Sequence, residues 1–299
     1  MDQNVSQPQQ TRAYLYGLSA VLLWSTVASA FKLSLRYLEP LQLLLYANAV
    51  SLLVLGLVLL WQGNAGELWR YRRPQYLRSL ALGFLNPFLY YLVLFKAYEL
   101  LPAQEAQPLN YTWAFTLALL SVPLLRQPLR GWDLLAGAVS YAGVVVIATR
   151  GDVFRLRFSD PLGVALALGS TVIWALYWIY NTRDDREAVA ALFLNFLCAL
   201  PMVLLACWLL SVPLRVHPYG LLGAAYVGIC EMGITFVCWL RALRLAAAAA
   251  RIGYLIFLSP LLSLLFIHLL VGETIRPSTL VGLGLILTGL LLQRRRSPA

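Results

Sequence analysis

Residues 83–98 read GFLNPFLYYLVLFKAY, and residues 228–243 read GICEMGITFVCWLRAL. Both stretches begin with glycine and carry a basic residue followed by alanine near their end, at a constant offset of 145 residues. The same offset places Asn86 opposite Glu231. Two apolar segments with matched glycine, basic and polar positions predict that the chain holds two copies of one structural unit.

The correspondence extends outward from these segments. An offset of 146 residues pairs Gly17 with Gly163 and Gly143 with Gly289. Each single match is weak, but a nearly constant offset across most of the chain indicates an internal repeat.

The composition is that of a membrane protein. The chain is 61% hydrophobic and 12% charged, whereas soluble domains carry about 25% charged residues. The mean hydropathy is +0.73, and apolar runs of about 20 residues, the length that crosses a bilayer, fill most of the 299 residues. We predict an all-α integral membrane protein with ten transmembrane helices. The predicted spans are 13–33, 40–61, 77–98, 103–125, 131–149, 161–181, 188–211, 218–240, 246–270 and 278–293.

Each predicted copy holds five spans, an odd number. The second copy must therefore enter the membrane from the opposite face, which makes the two copies inverted-topology repeats, a common plan among secondary transporters. We predict a disordered N-terminal tail (1–12), a first five-helix repeat (13–149), a linker (150–160), a second five-helix repeat (161–293) and a basic C-terminal tail (294–299).

Basic residues predict the orientation. Of the 23 Lys and Arg residues, 15 would lie on the side that contains both chain termini. Because cytoplasmic loops carry an excess of Lys and Arg, we expect both termini to be cytoplasmic and the protein to be a multi-pass protein of the inner (plasma) membrane. The net charge of +10 therefore reflects helix orientation, and no nucleic-acid partner is expected.

The first apolar run has a second interpretation. Arg12, the run itself and Ala28-Ser29-Ala30 imitate a cleavable signal peptide. The repeat favours a retained first span.

Enzymatic motifs are missing from the sequence. There is no GxxxxGK[ST], GxSxG or HExxH stretch, and the four cysteines lie in apolar segments without metal-ligand spacing. We expect no catalytic residues, no metal site, no cofactor and no enzymatic activity.

Polar groups in mid-span mark a candidate site, because burying them in a membrane is costly. Asn86 and Tyr90 share a helical face, as do Glu231, Thr235 and Trp239. The repeat places the two faces around one cavity. Glu231 is expected to bind an ammonium group or exchange protons; the alternative is a neutral carboxyl group that holds helices together.

Aromatic and amide side chains on other spans extend this candidate site. Large aromatic surfaces suit an aromatic or cationic ligand, although Trp and Tyr near span ends usually anchor helices at the interface. The further candidates are Trp24, Asn110, Tyr111, Trp113, Trp174, Trp178 and Tyr254.

Several short motifs resemble the drug/metabolite transporter superfamily over nearly the whole chain. They are Leu23-Trp24-Ser25, Phe95-Lys96-Ala97-Tyr98, Ile173-Trp174-Ala175 and Gly272-Glu273-Thr274. The chain is most similar to the ten-span EamA-type branch and, within it, to the YddG-type aromatic amino-acid exporters. The first repeat has Arg126-Gln127-Pro128 where the second has the Gly272-Glu273-Thr274 turn, so we assign Glu273 no transport role.

The resemblance implies a secondary transporter that exports small metabolites by alternating access. It implies aromatic amino acids as substrates, with other amino acids and aromatic cationic drugs as further ones. The residues leave open a different metabolite class (sugar phosphate, drug or lipid), a channel, or a membrane-embedded enzyme. The expected partners are the substrate and the lipid bilayer, with the chain a monomer or a weak homodimer.

Overall fold

A computed structural model describes residues 7–126, 131–155, 158–181, 184–245 and 254–294. The regular elements in these ranges are all helices, and no strand occurs there. The helices are α1 (Gln7–Ser34), α2 (Pro40–Trp61), α3 (Arg73–Gly83), α4 (Tyr90–Leu100), α5 (Ala103–Tyr111), α6 (Trp113–Leu125), α7 (Gly131–Ala148), α8 (Pro161–Asn181), α9 (Ala188–Leu209), α10 (Pro218–Tyr226), α11 (Ile234–Leu245), α12 (Leu258–Phe266) and α13 (Pro277–Arg294).

Six helical stretches in these ranges are long and apolar enough to cross a membrane. Further apolar helices are shorter: Leu134–Ala148, Leu258–Val271 and Pro277–Leu292. The prediction of an all-helical, multi-pass membrane protein is therefore confirmed. The count of ten spans stays a prediction, because the 103–125 segment divides into α5 and α6 and the last helices are short.

The chain ends differ from the sequence prediction in one place. Helix α1 begins at Gln7, so residues 7–12, which we expected in a disordered tail, are helical. Gln and Arg favour helices, and the helix therefore extends beyond its apolar part. Residues 295–299 of the predicted C-terminal tail and residues 246–253 of the ninth predicted span lie outside the described residues.

Residues 83–98 and residues 228–243 both contain a break in the helix. Between α3 and α4 the π-helical turn Phe84–Leu89 holds Asn86 at φ −148° and ψ 119°, outside the helical region. Pro87 accounts for this, because proline clashes with a helical conformation of the residue before it. Between α10 and α11 the π-helical turn Val227–Glu231 leads into Met232 and Gly233, where no proline is present.

Equivalent helices of the two halves of the chain make equivalent contacts with the other half. Helix α1 packs against α11 and α12, whereas α8 packs against α4 and α6. Helix α2 packs against α9, and α7 packs along α13. The first helix of each half thus lies against two helices of the other half, in corresponding positions.

Two glycines allow the broken helices to approach their neighbours. A Cβ atom on Gly83 would lie 2.2 Å from the carbonyl oxygen of Asn195 on α9, and one on Gly228 would lie 2.5 Å from that of Ala47 on α2. Small residues permit such backbone contact between membrane helices. The two breaks are therefore held at matching points against α9 and α2.

Candidate functional site: the central cavity

A small cavity of about 80 Å³ lies between helices of both halves. Its walls come from α1, α4, α5, α6, α8, the turn before α11 and the segment before α12. The residues that line it are Trp24, Val27, Ala28, Phe31, Tyr90, Leu94, Tyr98, Gln107, Asn110, Tyr111, Trp113, Trp174, Glu231 and Ile256. The volume holds a few water molecules, which is less than the 300–1,000 Å³ of typical ligand pockets.

Glu231 is the acidic residue among the described walls of this cavity, and its side chain is buried. The Tyr91 hydroxyl donates a hydrogen bond of 2.9 Å to Glu231 Oε1, and the side chain of Trp24 lies beside the carboxyl group. Glu231 Oε2 accepts no hydrogen bond of normal geometry from the described residues. The second oxygen is buried and retains unused acceptor capacity.

Trp174 forms the aromatic centre of the cavity wall. Its ring stacks on Tyr90 with centroids 4.5 Å apart and an interplanar angle of 30°. Trp113 meets it edge-on at 6.5 Å, and Phe236 does so at 6.0 Å. Such rings offer both faces and edges to a further aromatic group.

Amide side chains lie beside these rings. Asn110 Nδ2 donates to Ser170 Oγ at 2.9 Å, while Tyr90 donates to Asn110 Oδ1 at 3.5 Å. Gln107 Oε1 is buried without a hydrogen-bond partner among the described residues. The cavity therefore combines aromatic surface, neutral hydrogen-bonding groups and a single carboxyl group.

Helix α5 is tied to neighbouring segments next to the cavity. The carboxylate of Glu105 receives hydrogen bonds from Arg150, Ser159 and Arg276. Glu273, which the sequence left without a transport role, accepts hydrogen bonds from the first backbone amides of α5 at 2.8 and 3.1 Å. A carboxylate at a helix N-terminus is stabilising, so Glu273 has a structural contact there.

The structure brings together most of the residues that the sequence proposed. Those in the cavity wall are Trp24, Tyr90, Asn110, Tyr111, Trp113, Trp174 and Glu231.

Four predicted residues lie elsewhere. Asn86 is buried beside Tyr177 and Asn195, and Trp178 lines a different cavity. Thr235 donates a hydrogen bond to the Cys230 carbonyl.

Trp239, the fourth of these, packs on Trp24 behind the cavity wall, with centroids 5.2 Å apart. Tyr254 falls at the edge of the described chain, and its side chain lies outside the described residues.

Sequence reasoning missed several residues of the site. Tyr91 contacts Glu231 without lining the cavity, and the signal for it was a second phenol in mid-span next to Tyr90. Val27, Phe31 and Leu94 line the cavity, but an apolar residue in a membrane helix carries no signal that separates a cavity wall from a lipid-facing surface.

Two ranges of the chain, residues 11–149 and 161–294, match the profile of the EamA-like transporter family. The chain belongs to the EamA-like transporter family. Together these ranges cover most of the chain, and one profile matches each half once.

Curated proteins that are similar to this chain carry transporter or exporter names. It is 29% identical over 266 residues to the aromatic amino acid exporter YddG of Ancylobacter novellus, a match that covers 86% of this chain and 88% of the relative. It is 23% identical to an uncharacterized transporter of Archaeoglobus fulgidus, over 93% and 95% of the two chains. It is 22% identical to the uncharacterized inner membrane transporter YhbE of Escherichia coli K12, over 86% and 80%.

A solved crystal structure has a similar fold. The two share a TM-score of 0.67 and 25% sequence identity, with 96% of this chain and 99% of the other covered. The family and the apolar helices establish a multi-pass membrane transporter of a small molecule. The expectation of no enzymatic activity stays a prediction.

Proposed function

We propose that this family member exports aromatic amino acids by alternating access, with the central cavity as its substrate site. The observation that carries the proposal is the pairing of one carboxyl group with a cluster of aromatic rings in the cavity. The carboxyl group of Glu231 would bind the substrate ammonium, and the rings around Trp174 would bind the substrate side chain.

The cavity chemistry favours an amino acid over a phosphorylated sugar. Phosphate groups are recognised by Arg and Lys side chains, and the described residues of the cavity wall include neither. The neutral donors of Asn110 and Gln107 suit a carboxylate or a polar backbone group. The printed name of the Ancylobacter novellus relative supports the same substrate class.

An inverted repeat is part of the proposed transport mechanism. One family profile matches both halves, and equivalent helices of the two halves make equivalent contacts with the other half. Two nearly equivalent halves with opposite orientation give two nearly equivalent arrangements, one open to each side of the membrane. We propose ten spans with both termini in the cytoplasm and the protein in the inner membrane.

The small cavity volume fits an occluded arrangement. About 80 Å³ does not admit an amino acid, so helices must separate before a substrate binds. The breaks next to Asn86 and Glu231 are the places where the helices can bend, since they already lack regular backbone hydrogen bonds.

Export from cells tests the direction of transport. Cells that express the chain and are fed a phenylalanine-containing dipeptide should hold less intracellular phenylalanine than cells with an empty vector. Accumulation should be restored by Glu231→Gln. Equal accumulation in all three strains, with the protein present in the membrane fraction, would contradict export of phenylalanine.

A further inference from the structure

A second cavity, of about 240 Å³, lies at the far end of α8. It is larger than the central cavity, which is about 80 Å³. Tyr177, Trp178 and Phe236 form aromatic walls, and Leu192 of α9 forms an apolar one. Asn181, Asp184 and Arg186 stand at its polar end.

The two cavities share one aromatic partition. Trp174 lines the central cavity, whereas Tyr177 and Phe236 line the second. The ring centroid of Trp174 lies 5.8 Å from that of Tyr177 and 6.0 Å from that of Phe236. These packed rings therefore separate the two cavities.

The polar end of the second cavity carries both signs of charge. Arg186 Nη2 lies 2.6 Å from Asp184 Oδ2, and the two side chains are only 1% and 4% exposed. Arg186 also donates through Nη1 to the Gln75 carbonyl at 3.1 Å and to Ser79 Oγ at 2.6 Å. Its Nε hydrogen bonds to Asp184 Oδ1 at 2.9 Å. A guanidinium group has five N–H donors, and these four bonds within the described residues leave one Nη2 hydrogen for a ligand.

A further donor lies on the aromatic wall. Trp178 Nε1 is buried and has no hydrogen-bond partner among the described residues. An indole N–H usually finds a partner when it is buried. A carboxylate that lies against Arg186 would supply one.

We infer that the second cavity is a separate binding site for the amino-acid substrate on the side of residues 184–187. The substrate carboxylate meets Arg186 and Trp178, its ammonium group meets Asp184, and its ring packs between Trp178 and Phe236. The inference rests on the proposed function. In the proposed orientation this side is cytoplasmic, so an exported amino acid reaches this site before it passes the partition to Glu231.

Equilibrium binding of radiolabelled tryptophan to the purified full chain tests the site. The wild type should bind two tryptophans per chain. Leu192→Trp fills the second cavity and should reduce the number to one. The matched control is Leu205→Trp on the same helix, where the leucine is 54% exposed; it should keep two.

A milder variant covers the case in which Leu192→Trp does not fold. Trp178→Phe keeps an aromatic side chain and removes the N–H donor, and it should weaken one of the two binding events by about 2- to 10-fold, the effect of losing one hydrogen bond. Glu231→Gln should weaken the other event and leave this one unchanged.

The results separate the two proposals. Binding of one tryptophan by the wild type, unchanged in Leu192→Trp and Trp178→Phe, would overturn the second site while the proposed function stands. No binding and no transport of any aromatic amino acid by the wild type would overturn the proposed function, and the second site with it.

Discussion

The Tyr91 hydroxyl and the Glu231 carboxylate meet at 2.9 Å, although 140 residues separate them in the chain. Tyr91 lies on α4, just after the break at Asn86, and Glu231 lies in the break before α11. The contact joins the two stretches that correspond to each other in the sequence repeat. It also engages Oε1 and leaves the buried Oε2 with unused acceptor capacity, which makes Glu231 the centre of the proposed binding chemistry.

Glu231→Gln should lower kcat/KM for tryptophan uptake into proteoliposomes by about 10- to 100-fold. The substitution removes the charge that would bind the substrate ammonium, and hydrogen bonds to charged groups contribute about 1.5–3 kcal/mol. The matched control is Glu67→Gln, where the glutamate pairs with Arg70 at the surface and uptake should be unchanged. An equal effect of both substitutions would remove the special role of Glu231.

A second prediction for Glu231→Gln concerns proton coupling through this carboxyl group. Glu231→Gln should then show uptake that no longer varies with pH, measured between pH 5.5 and 8. A full pH response in the variant would assign the coupling to another group.

Trp174→Ala should raise the KM for tryptophan by about 10-fold, or ~1.4 kcal/mol, because it removes the ring that stacks on Tyr90 in the cavity. Trp174→Phe should retain part of the affinity. Trp208→Ala, at a tryptophan that is 75% exposed on α9, should leave KM unchanged. A KM in Trp174→Ala that matches the wild type would exclude this ring from the substrate site.

Gly83→Ala should destabilise the protein by about 1–3 kcal/mol. The added Cβ would lie 2.2 Å from the Asn195 carbonyl oxygen, and backbone cannot move aside as a side chain can. The midpoint of thermal unfolding in detergent should fall. Gly169→Ala, where nothing lies within 4 Å of the new atom, should keep or slightly raise the midpoint. A drop in both variants would mean that packing at Gly83 is not the cause.

Acid should destabilise the loop between α8 and α9 through Asp184. Burial by itself raises the pKa of this carboxyl group, but the hydrogen bonds and charge of Arg186, with the charge of Arg78, outweigh it and lower the net pKa below the ordinary value. A carboxyl group with a lowered folded-state pKa stabilises the fold above its unfolded pKa, about 3.9, and loses this contribution as the pH falls through the folded value.

The melting temperature of the wild type should therefore hold steady from pH 7 to about pH 5 and fall below about pH 4. Asp184→Asn should melt lower at pH 7 and show a smaller further loss in acid. Asp152→Asn, at an exposed pair with Arg155, serves as the control with wild-type behaviour. Identical curves for the wild type and Asp184→Asn would contradict this role of the ion pair.

The sequence predicted the helices and much of the cavity wall for physical reasons. Helices α2 and α8 have the bounds of their predicted spans, because apolar length and flanking prolines determine where they begin and end. Glu231 and Trp174 could be proposed because polar and aromatic groups in mid-span stand out against an apolar background.

Asn86 shows what a helical repeat cannot predict. The repeat placed it on the cavity face with Tyr90, but Pro87 forces its backbone out of the helical region. The side chain turns toward Tyr177 and Asn195 instead. Helical spacing predicts direction only while the helix is regular, so residues at the breaks needed the structure.

Counterflow of radiolabelled tryptophan and phenylalanine into proteoliposomes that contain the purified wild type measures aromatic amino-acid transport by this chain alone. Uptake should be slow and saturable, and aromatic amino acids should block it while serine and glucose 6-phosphate should not. Absence of uptake, equal competition by every compound, or a non-saturating ohmic flux would contradict an aromatic amino-acid carrier built around Glu231 and Trp174.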